Sequence, residues 1–442
     1  FWLKLLPAPL VQQLAPCDGR QVSPASCSED DRILRAWACV PTPMEVITLQ
    51  FGHFANHVGA HFWNFEDEVA AHEEGRADDA QAPETDFERL HHQTESCGTV
   101  SWHPRLLLVD LKGALCSTYP GKQARQQAPE LEVPGVLWEH GTVSHCSECI
   151  GSHPFQQDLD DLECEEDRTP KSQGAEFHGG ADMRFGSGYP ENGEGHMDVD
   201  VSTADTTRTL AGTRPSAFYN FSETVRSWTD YLKVPLEASN AYELSGWHHG
   251  VSPFATFFDG LQFQGCRDEE PVLELARRQL ELCDCLDAVH AVIDMHNGFS
   301  GVADVVLRWV HEEQPKCGQL TMAVQPAVPS ADVLEDPAPP GQATVAALDA
   351  TACAWVSAAF SFAGLMERRA DVYTPAAVPL WEASRRPPAL AALRQESAYE
   401  TSALLAAALQ TATLPYRLRG SRRPRDFLAA LAPARRPVCG LL

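Results

Sequence analysis

The stretch EVITLQFGHFANHVGAHFWN, residues 45–64, decides the fold class. Residues 45–51 are rich in β-branched and large apolar side chains, which predicts a buried strand. Gly52 can make the tight turn out of that strand, because glycine adopts backbone conformations that other residues avoid. Phe54, Val58 and Phe62 then recur at four-residue spacing. This spacing predicts a helix with one apolar face. The stretch is therefore a strand, a glycine turn and a helix.

The same order of elements returns later in the chain. Residues 287–295, DAVHAVIDM, predict a strand, and a glycine- and serine-containing loop with a further helix follows it. PRLLLVDLKG, residues 104–113, predicts another buried strand that ends near Asp110. Helices are expected at 271–285, 351–365 and 398–411. Alternating strands and helices indicate an α/β fold with a mostly parallel, doubly wound sheet of the Rossmann type.

Composition limits the function classes and suggests a division of the chain. The net charge of -27 repels phosphate backbones, so no nucleic-acid partner is expected. No apolar run approaches the roughly 18–20 residues of a spanning helix, so no transmembrane segment is expected. Seven acidic residues within 158–167 open a stretch rich in glycine and serine, which predicts disorder. The predicted segments are a leader or upstream extension (1–43), a first domain segment (44–157), a disordered acidic linker (158–212), a second domain segment (213–418) and an Arg-rich tail (419–442).

Two groups of residues raise the question of a metal. His53, His57 and His61 have the four-residue spacing that places them on one helix face. Cys146 and Cys149 have the spacing of zinc ligands, with further cysteine and histidine residues nearby. A second cysteine pair at zinc-finger spacing is absent from the sequence. We therefore predict no metal site, and we interpret the histidines as a solvated polar face or as the edge of a ligand site.

Two separate stretches resemble tubulin. QFGHFANHVGAHFW, residues 50–63, aligns without gaps to the tubulin motif QAGQCGNQIGAKFW. The stretch from Leu282 to Pro315 resembles the tubulin helix, strand and phosphate-loop region, and LLLVDLKGAL lies where tubulins carry a VDLEPGT-like strand end. Together with SWTDYL, the GFSG loop and LPYRL, these segments resemble the Misato family of tubulin-like proteins. The resemblance implies a tubulin/FtsZ-like nucleotide-binding domain from which the C-terminal part of the family is missing.

The resemblance also implies a function. Misato proteins are linked to mitochondrial distribution and morphology, so we expect a non-enzymatic tubulin-like protein that acts through protein contacts. Its expected partners are unknown proteins at the mitochondrial surface or cytoskeleton. Its expected location is the cytoplasm and the cytosolic face of the mitochondrial outer membrane, as a peripheral protein.

The positions that match the tubulin nucleotide site are changed in ways that disfavour GTP hydrolysis. His53 and Phe54 replace tubulin's Gln and Cys, and Lys112 replaces the strand-end Glu beside Asp110. The phosphate loop keeps few glycines, and Phe299 is bulky where tubulin is small. We predict a degenerate nucleotide site and no catalytic residues; GTP with Mg²⁺ remains a possible weak ligand. The candidate site residues are Gly52, His53, Phe54, Asn56, Asp110, Lys112, Asn297, Gly298, Ser300 and Gly301.

Two alternatives stay open at this point. The chain could be a GTP-binding, self-assembling cytoskeletal GTPase of the tubulin/FtsZ type. It could also be a fragment without function, because its first residues and its Arg-rich end have no recognisable pattern. Other enzyme classes lack support, since the sequence has no GxSxG, HExxH or Walker motif.

Overall fold

The first strand, turn and helix form as the sequence predicts. In the computed structural model, β1 (Glu45–Phe51) is buried along its whole length, and α1 (His53–Glu74) follows Gly52 directly. The structure describes residues 44–74, 85–96, 99–115, 153–159, 219–250, 254–327, 343–367, 372–378, 386–432 and 438. All of them belong to one unit, made of residues 42–172 and 219–442. The predicted leader at 1–43, the Cys146–Cys149 pair and nearly all of the acidic linker lie outside the described residues.

A six-stranded sheet forms the centre of the molecule. After β1, the strands are β2 (His91–Ser96), β3 (Thr99–Pro104), β4 (Leu106–Lys112), β5 (Ala241–His248), β6 (Leu286–Asp294), β7 (Gly318–Gln325) and β8 (Val372–Ala377). The large sheet has the order β5-β4-β1-β6-β7-β8, and every neighbouring pair in it is parallel. β2 and β3 form a separate antiparallel hairpin. The prediction of a parallel, doubly wound α/β fold is therefore confirmed.

Helices cover both faces of the sheet. Besides α1 they are α2 (Phe221–Thr224), α3 (Phe257–Leu261), α4 (Glu269–Glu281), α5 (Phe299–Glu313), α6 (Ala343–Glu367), α7 (Ala398–Arg417) and α8 (Pro424–Leu431). Side chains of α1, α7 and α8 share one apolar core with one set of strand residues, such as Val46 and Val292. Side chains of α3, α4 and α5 share a second core with the alternate set, such as Ile47 and Ala291. This alternation follows from the two-residue period of a strand.

Both predicted domain segments contribute to this one sheet. Strands β1 and β4 come from the first segment, and β5 and β6 pair with them from the second. The long insertion between the segments is compatible with this pairing because closing a longer loop adds little entropic cost. In parallel sheets, ligands bind beyond the carboxyl ends of the strands, where the strand order reverses. That position lies between β1 and β6.

The Arg-rich end contains structure that the sequence pattern did not indicate. Within the predicted tail, α8 packs against β6 and β7 and buries Leu428 completely. Arg423 donates to the buried carboxylate of Asp287 at 2.6 Å, and the Arg425 backbone N–H donates to the same carboxylate at 3.0 Å. The domain therefore extends beyond residue 418, and two of the arginines serve its packing.

The helix α7 is fixed to α1 by buried polar contacts. Arg417 forms an ion pair with Glu66 and lies over the ring of Phe62 at 5.5 Å. Gln410 donates to Glu66 at 2.7 Å.

Among the described residues, no helix combines the length and the apolar character needed to cross a bilayer.

Candidate functional site

The carboxyl ends of β1, β4 and β6 meet at the first turn of α1. Gly52 connects β1 to α1 with a φ of +118°, in the region that favours glycine. A Cβ atom at Gly52 would also lie 2.3 Å from the carboxylate of Asp294. The glycine is required here for two reasons, the backbone conformation and the close approach of β6.

The carboxylate of Asp294 binds the amide groups at the start of α1. Its Oδ1 accepts from the Ala55 N–H at 2.7 Å, and its Oδ2 accepts from the Phe54 N–H at 3.2 Å. Asn297 donates to Oδ2 at 3.3 Å. Burial raises the pKa of Asp294 to about 7, although the three hydrogen bonds act in the opposite direction. A side chain of the protein thus satisfies amides that a helix start offers to an anion.

Asp110, at the end of β4, is a fully buried acceptor. Its Oδ2 accepts from Nε1 of Trp228 at 2.9 Å and from Nδ2 of Asn56 at 3.0 Å, while its Oδ1 accepts from its neighbour's backbone N–H at 2.8 Å. His53 Nδ1 lies 3.3 Å from Oδ2. Burial opposes ionisation, but the positive potential and hydrogen bond of His53, with help from His249 and Trp228, hold the pKa of Asp110 below its usual value. Asp110 is therefore a carboxylate with fixed orientation.

The three histidines of α1 have three different environments. His53 contacts Asp110, and its ring lies 4.5 Å from the ring of His249. His57 is buried, and its Nδ1 lies 2.9 Å from the hydroxyl of Tyr231. His61 lies 2.9 Å from the carbonyl oxygen of Tyr399. The interpretation as a solvated face is wrong for His57, which is buried, whereas His61 is half-buried beside the rings of Tyr231 and Tyr399.

Burial decides the charge of these rings. Burial lowers the pKa of His57 well below its usual value, and the neighbouring histidines lower it further. Burial also lowers the pKa of His61 to about 4. Both rings are therefore neutral near pH 7 and act as hydrogen-bonding and packing groups.

The loop that resembles a phosphate loop has local partners for its backbone amides. The Gly298 N–H donates to the Phe254 carbonyl at 3.0 Å, and the Phe299 N–H donates to Oδ1 of Asn297 at 3.0 Å. The Gly301 N–H donates to the Gly298 carbonyl at 2.9 Å. The Ser300 hydroxyl donates to the carbonyl of Asn297 at 2.9 Å. These groups are engaged within the protein.

The glycines of this loop allow two helices to approach closely. A Cβ atom at Gly301 would lie 2.3 Å from the Phe257 carbonyl oxygen of α3. A Cβ atom at Gly260 of α3 would lie 1.7 Å from the Gly298 carbonyl oxygen. A Cβ atom at Gly298 would lie 2.8 Å from the ring of Phe254. Glycine is therefore explained at all three positions by packing between α3 and the start of α5.

The structure brings most of the sequence-predicted site residues to one edge of the sheet, with two exceptions. Asn56, Asn297 and the residues around Gly52 surround Asp110 and Asp294. Phe54 contributes its backbone N–H to Asp294, while its side chain lies in the core with 5% exposure; the Lys112 side chain is exposed. Sequence reasoning missed the capping role of Asp294 and the contacts of Trp228 and His249. The SWTDYL motif marked the position of Trp228 without indicating what it contacts.

Comparison with known proteins finds similarity to Misato proteins. Residues 44–161 match the Misato Segment II tubulin-like domain. The chain is similar to Protein misato homolog 1 of Homo sapiens, with 27% identity over 288 residues, which cover 64% of this chain and 45% of that protein. It is also similar to Protein misato of Drosophila melanogaster, with 26% identity over 394 residues, covering 85% of this chain and 60% of that protein.

The match to Protein misato homolog 1 of Bos taurus has 26% identity over 388 residues and covers 85% of this chain and 60% of that protein. Against the human and zebrafish relatives, the chain spans less than half of their length, 45% in each case. The domain match includes β1, α1 and β4, which carry Gly52, His53 and Asp110. The chain is therefore similar to Misato proteins over most of its length, and residues 44–161 match their tubulin-like domain.

Proposed function

We propose that this chain is a non-enzymatic, tubulin-like interaction protein that acts in mitochondrial distribution, morphology and organisation. The observation that carries the non-enzymatic part is the carboxylate of Asp294, whose oxygens accept from Phe54 N–H and Ala55 N–H. A phosphate at this helix start would have to displace a carboxylate that is covalently part of β6. It would also meet the negative charge of Asp110, and like charges at short range repel strongly in a buried site.

The β6–α5 turn, which contains Gly298, also disfavours nucleotide binding. In a phosphate loop, glycines leave backbone N–H groups open so that they can surround the phosphates. Here the N–H groups of Gly298 and Phe299 donate to the protein itself. The space beside Gly298 is filled by Phe254. Binding of a nucleotide would require this packing to open.

An exposed apolar surface supports the part of the proposal that concerns protein contacts. Trp355, Val356 and Phe360 of α6 are 61%, 55% and 43% exposed, and Phe258 beside them is 53% exposed. The rings of Phe258 and Phe360 are 4.7 Å apart. Large exposed apolar side chains on one helix and beside it are typical of surfaces that a partner covers. We call these four residues the α6 surface.

The mitochondrial setting rests on the resemblance to the Misato family. In this proposal the protein acts in the cytoplasm and at the cytosolic face of the mitochondrial outer membrane, where it contacts other proteins. The alternative function, a self-assembling GTPase, requires nucleotide binding at the site around Asp294. The two proposals therefore differ in one measurable property.

Calorimetric titration of the full chain with GTP and GDP, with and without Mg²⁺, tests the non-enzymatic part. We expect no binding heat at micromolar concentrations from a protein whose folding is verified by circular dichroism. Micromolar, Mg²⁺-dependent binding of GTP would overturn the proposal and support the GTPase. Asp294→Asn is a better test variant than Gly298→Val. A valine at position 298 would collide with Phe254 and would disturb packing as well as any ligand site.

Rescue of mitochondrial morphology in cells depleted of their own protein tests the interaction part. We expect Trp355→Ser to lose rescue, because it removes the largest exposed ring of the α6 surface. Trp102→Ser is the matched control, since Trp102 is an exposed tryptophan, 38% accessible, on the β2–β3 hairpin. Equal rescue by both variants would show that the α6 surface is not the contact.

A further inference from the structure

We propose that His53, Asp110 and His249 form a binding site for a divalent transition-metal ion of the zinc class. The donor atoms of these three residues all lie within 4.8 Å of one another. They come from the start of α1, the end of β4 and the turn that follows β5. Two imidazoles and one carboxylate are a donor set that proteins use for zinc.

The distances fit such an ion with little movement. With Zn–N and Zn–O bonds of about 2.0–2.1 Å, two ligands of a tetrahedral ion lie about 3.3 Å apart. His53 Nδ1 and Asp110 Oδ2 are separated by 3.3 Å. The His53 and His249 rings lie 4.5 Å apart with an interplanar angle of 37°. A modest rotation of His249 therefore completes a three-ligand site with a position left for water or a partner's side chain.

The protein holds these ligands in place before any ion binds. Trp228 and Asn56 donate to the carboxylate of Asp110 at 2.9 Å and 3.0 Å. The backbone N–H of His249 donates to the Lys112 carbonyl at 3.0 Å, which ties the turn to the end of β4. Hydrogen bonds of this kind orient metal ligands and strengthen their binding. Asp110 is fully buried, whereas His53 and His249 are partly exposed, so an ion can reach the site from solvent.

Charge and ligand type select the ion. A cation at the start of α1 faces the positive end of the helix dipole, and the carboxylate of Asp110 offsets this cost. Imidazole ligands suit Zn²⁺, Cu²⁺ and Ni²⁺, whereas Mg²⁺ prefers oxygen ligands in octahedral geometry. The site therefore differs from a Mg²⁺–nucleotide site, and it does not depend on whether the chain binds GTP.

Competitive zinc titration of the full chain tests this proposal. The protein is stripped with a chelator, dialysed, and titrated with Zn²⁺ against a chromophoric chelator in the absence of nucleotide. We expect His249→Ala and His53→Gln to weaken one zinc site by about 10- to 100-fold or more. His248→Ala is the matched control, because His248 is the exposed neighbour of His249 and lies outside the cluster. We expect it to bind as the wild type does.

The paired variants are needed because the chain has 14 cysteines that can also bind zinc. A second readout is the melting temperature, which Zn²⁺ should raise in the wild type and in His248→Ala, and raise less in His249→Ala. Indistinguishable zinc affinities for all four proteins would overturn the proposal. Stabilisation by Mg²⁺ but not by Zn²⁺ would also overturn it. Circular dichroism of each variant excludes loss of folding as the cause.

Discussion

The β1–α1 and β6–α5 turns have similar sequence patterns, but their backbone amides have different hydrogen-bond partners in the structure. Each consists of a buried strand, a glycine-containing turn and a helix. At the first turn, the amides of the helix start bind Asp294, a side chain from the neighbouring strand. At the second turn, the amides bind Asn297 and Phe254, which lie in or beside the same loop.

The glycines differ in the same way. Gly52 is needed for a φ of +118° and for contact with Asp294. Gly298 has an ordinary helical φ of -67°, and its lack of a side chain leaves room for Phe254. A glycine-containing turn after a strand therefore has at least two physical explanations. One is an opening for a ligand, and the other is the close packing of two segments of the protein.

The largest expected effect comes from adding one methyl group between α3 and α5. Gly260→Ala would place Cβ 1.7 Å from the Gly298 carbonyl oxygen, which is backbone and cannot rotate away. Overpacking of this kind costs about 3 kcal/mol, more than the roughly 1 kcal/mol that alanine gains in helix propensity. Denaturant unfolding measures the change in free energy.

The matched control is Gly246→Ala, because the nearest atom to a Cβ at Gly246 is 4.0 Å away. We expect this variant to change the free energy of unfolding by no more than about 0.5 kcal/mol. If Gly260→Ala were as stable as Gly246→Ala, packing would not explain the glycines of the second turn, and a ligand would become the better explanation.

A smaller effect, dependent on pH, should distinguish the first turn. The pKa of Asp294 is raised from 3.8 to about 7 in the folded protein. Between these values the folded state holds a proton that the unfolded state has lost, so stability falls as pH rises through this window. The slope is at most about 1.4 kcal/mol per pH unit. Asp294→Asn removes it.

The measurement is the free energy of unfolding of both proteins from about pH 5 to about pH 7, a range in which linkage to this group acts. Buried histidines with lowered pKa values, such as His91, act in the opposite direction in both proteins. Their contribution cancels in the difference between wild type and Asp294→Asn. If the unfolding free energies of the two proteins changed with pH in parallel, Asp294 would be ionised over the whole range. Its hydrogen bonds with α1 would then outweigh the effect of burial on its pKa.

The smallest expected effect concerns the contact between Tyr231 and His57 of α1. The hydroxyl of Tyr231 donates to the His57 carbonyl oxygen at 3.0 Å and lies 2.9 Å from His57 Nδ1. Tyr231→Phe keeps the ring and removes these contacts, which should cost about 1–2 kcal/mol because a buried nitrogen loses its partner. Thermal unfolding measures it. Tyr399→Phe is the control, since His61 contacts the backbone of Tyr399 and should keep this bond. Equal loss in both variants would argue against the specific role of Tyr231.

Local patterns determined the fold class and the order of its main elements, and they carried the resemblance to Misato proteins. Strand and helix periods are local properties, so β1, α1, β6 and α5 could be recognised from EVITLQF, from the spacing of Phe54, Val58 and Phe62, and from their later counterparts. Polar or edge strands such as β2 and β5 lack a clear two-residue alternation of apolar and polar side chains. They form because neighbouring strands pair with them. The helix α8 escaped recognition because an Arg-rich composition conceals Leu428, which is fully buried.

Only the tertiary structure decided what the candidate site contains. Asp294 and Ala55 are 239 residues apart in the sequence and hydrogen-bonded in space. Asp110, His249 and His53 meet because β4 and β5 end, and α1 begins, at the same edge of the sheet. The sequence shows which groups can accept, donate or bind an ion. Which of them meet depends on the pairing of distant strands, and no local pattern encodes that.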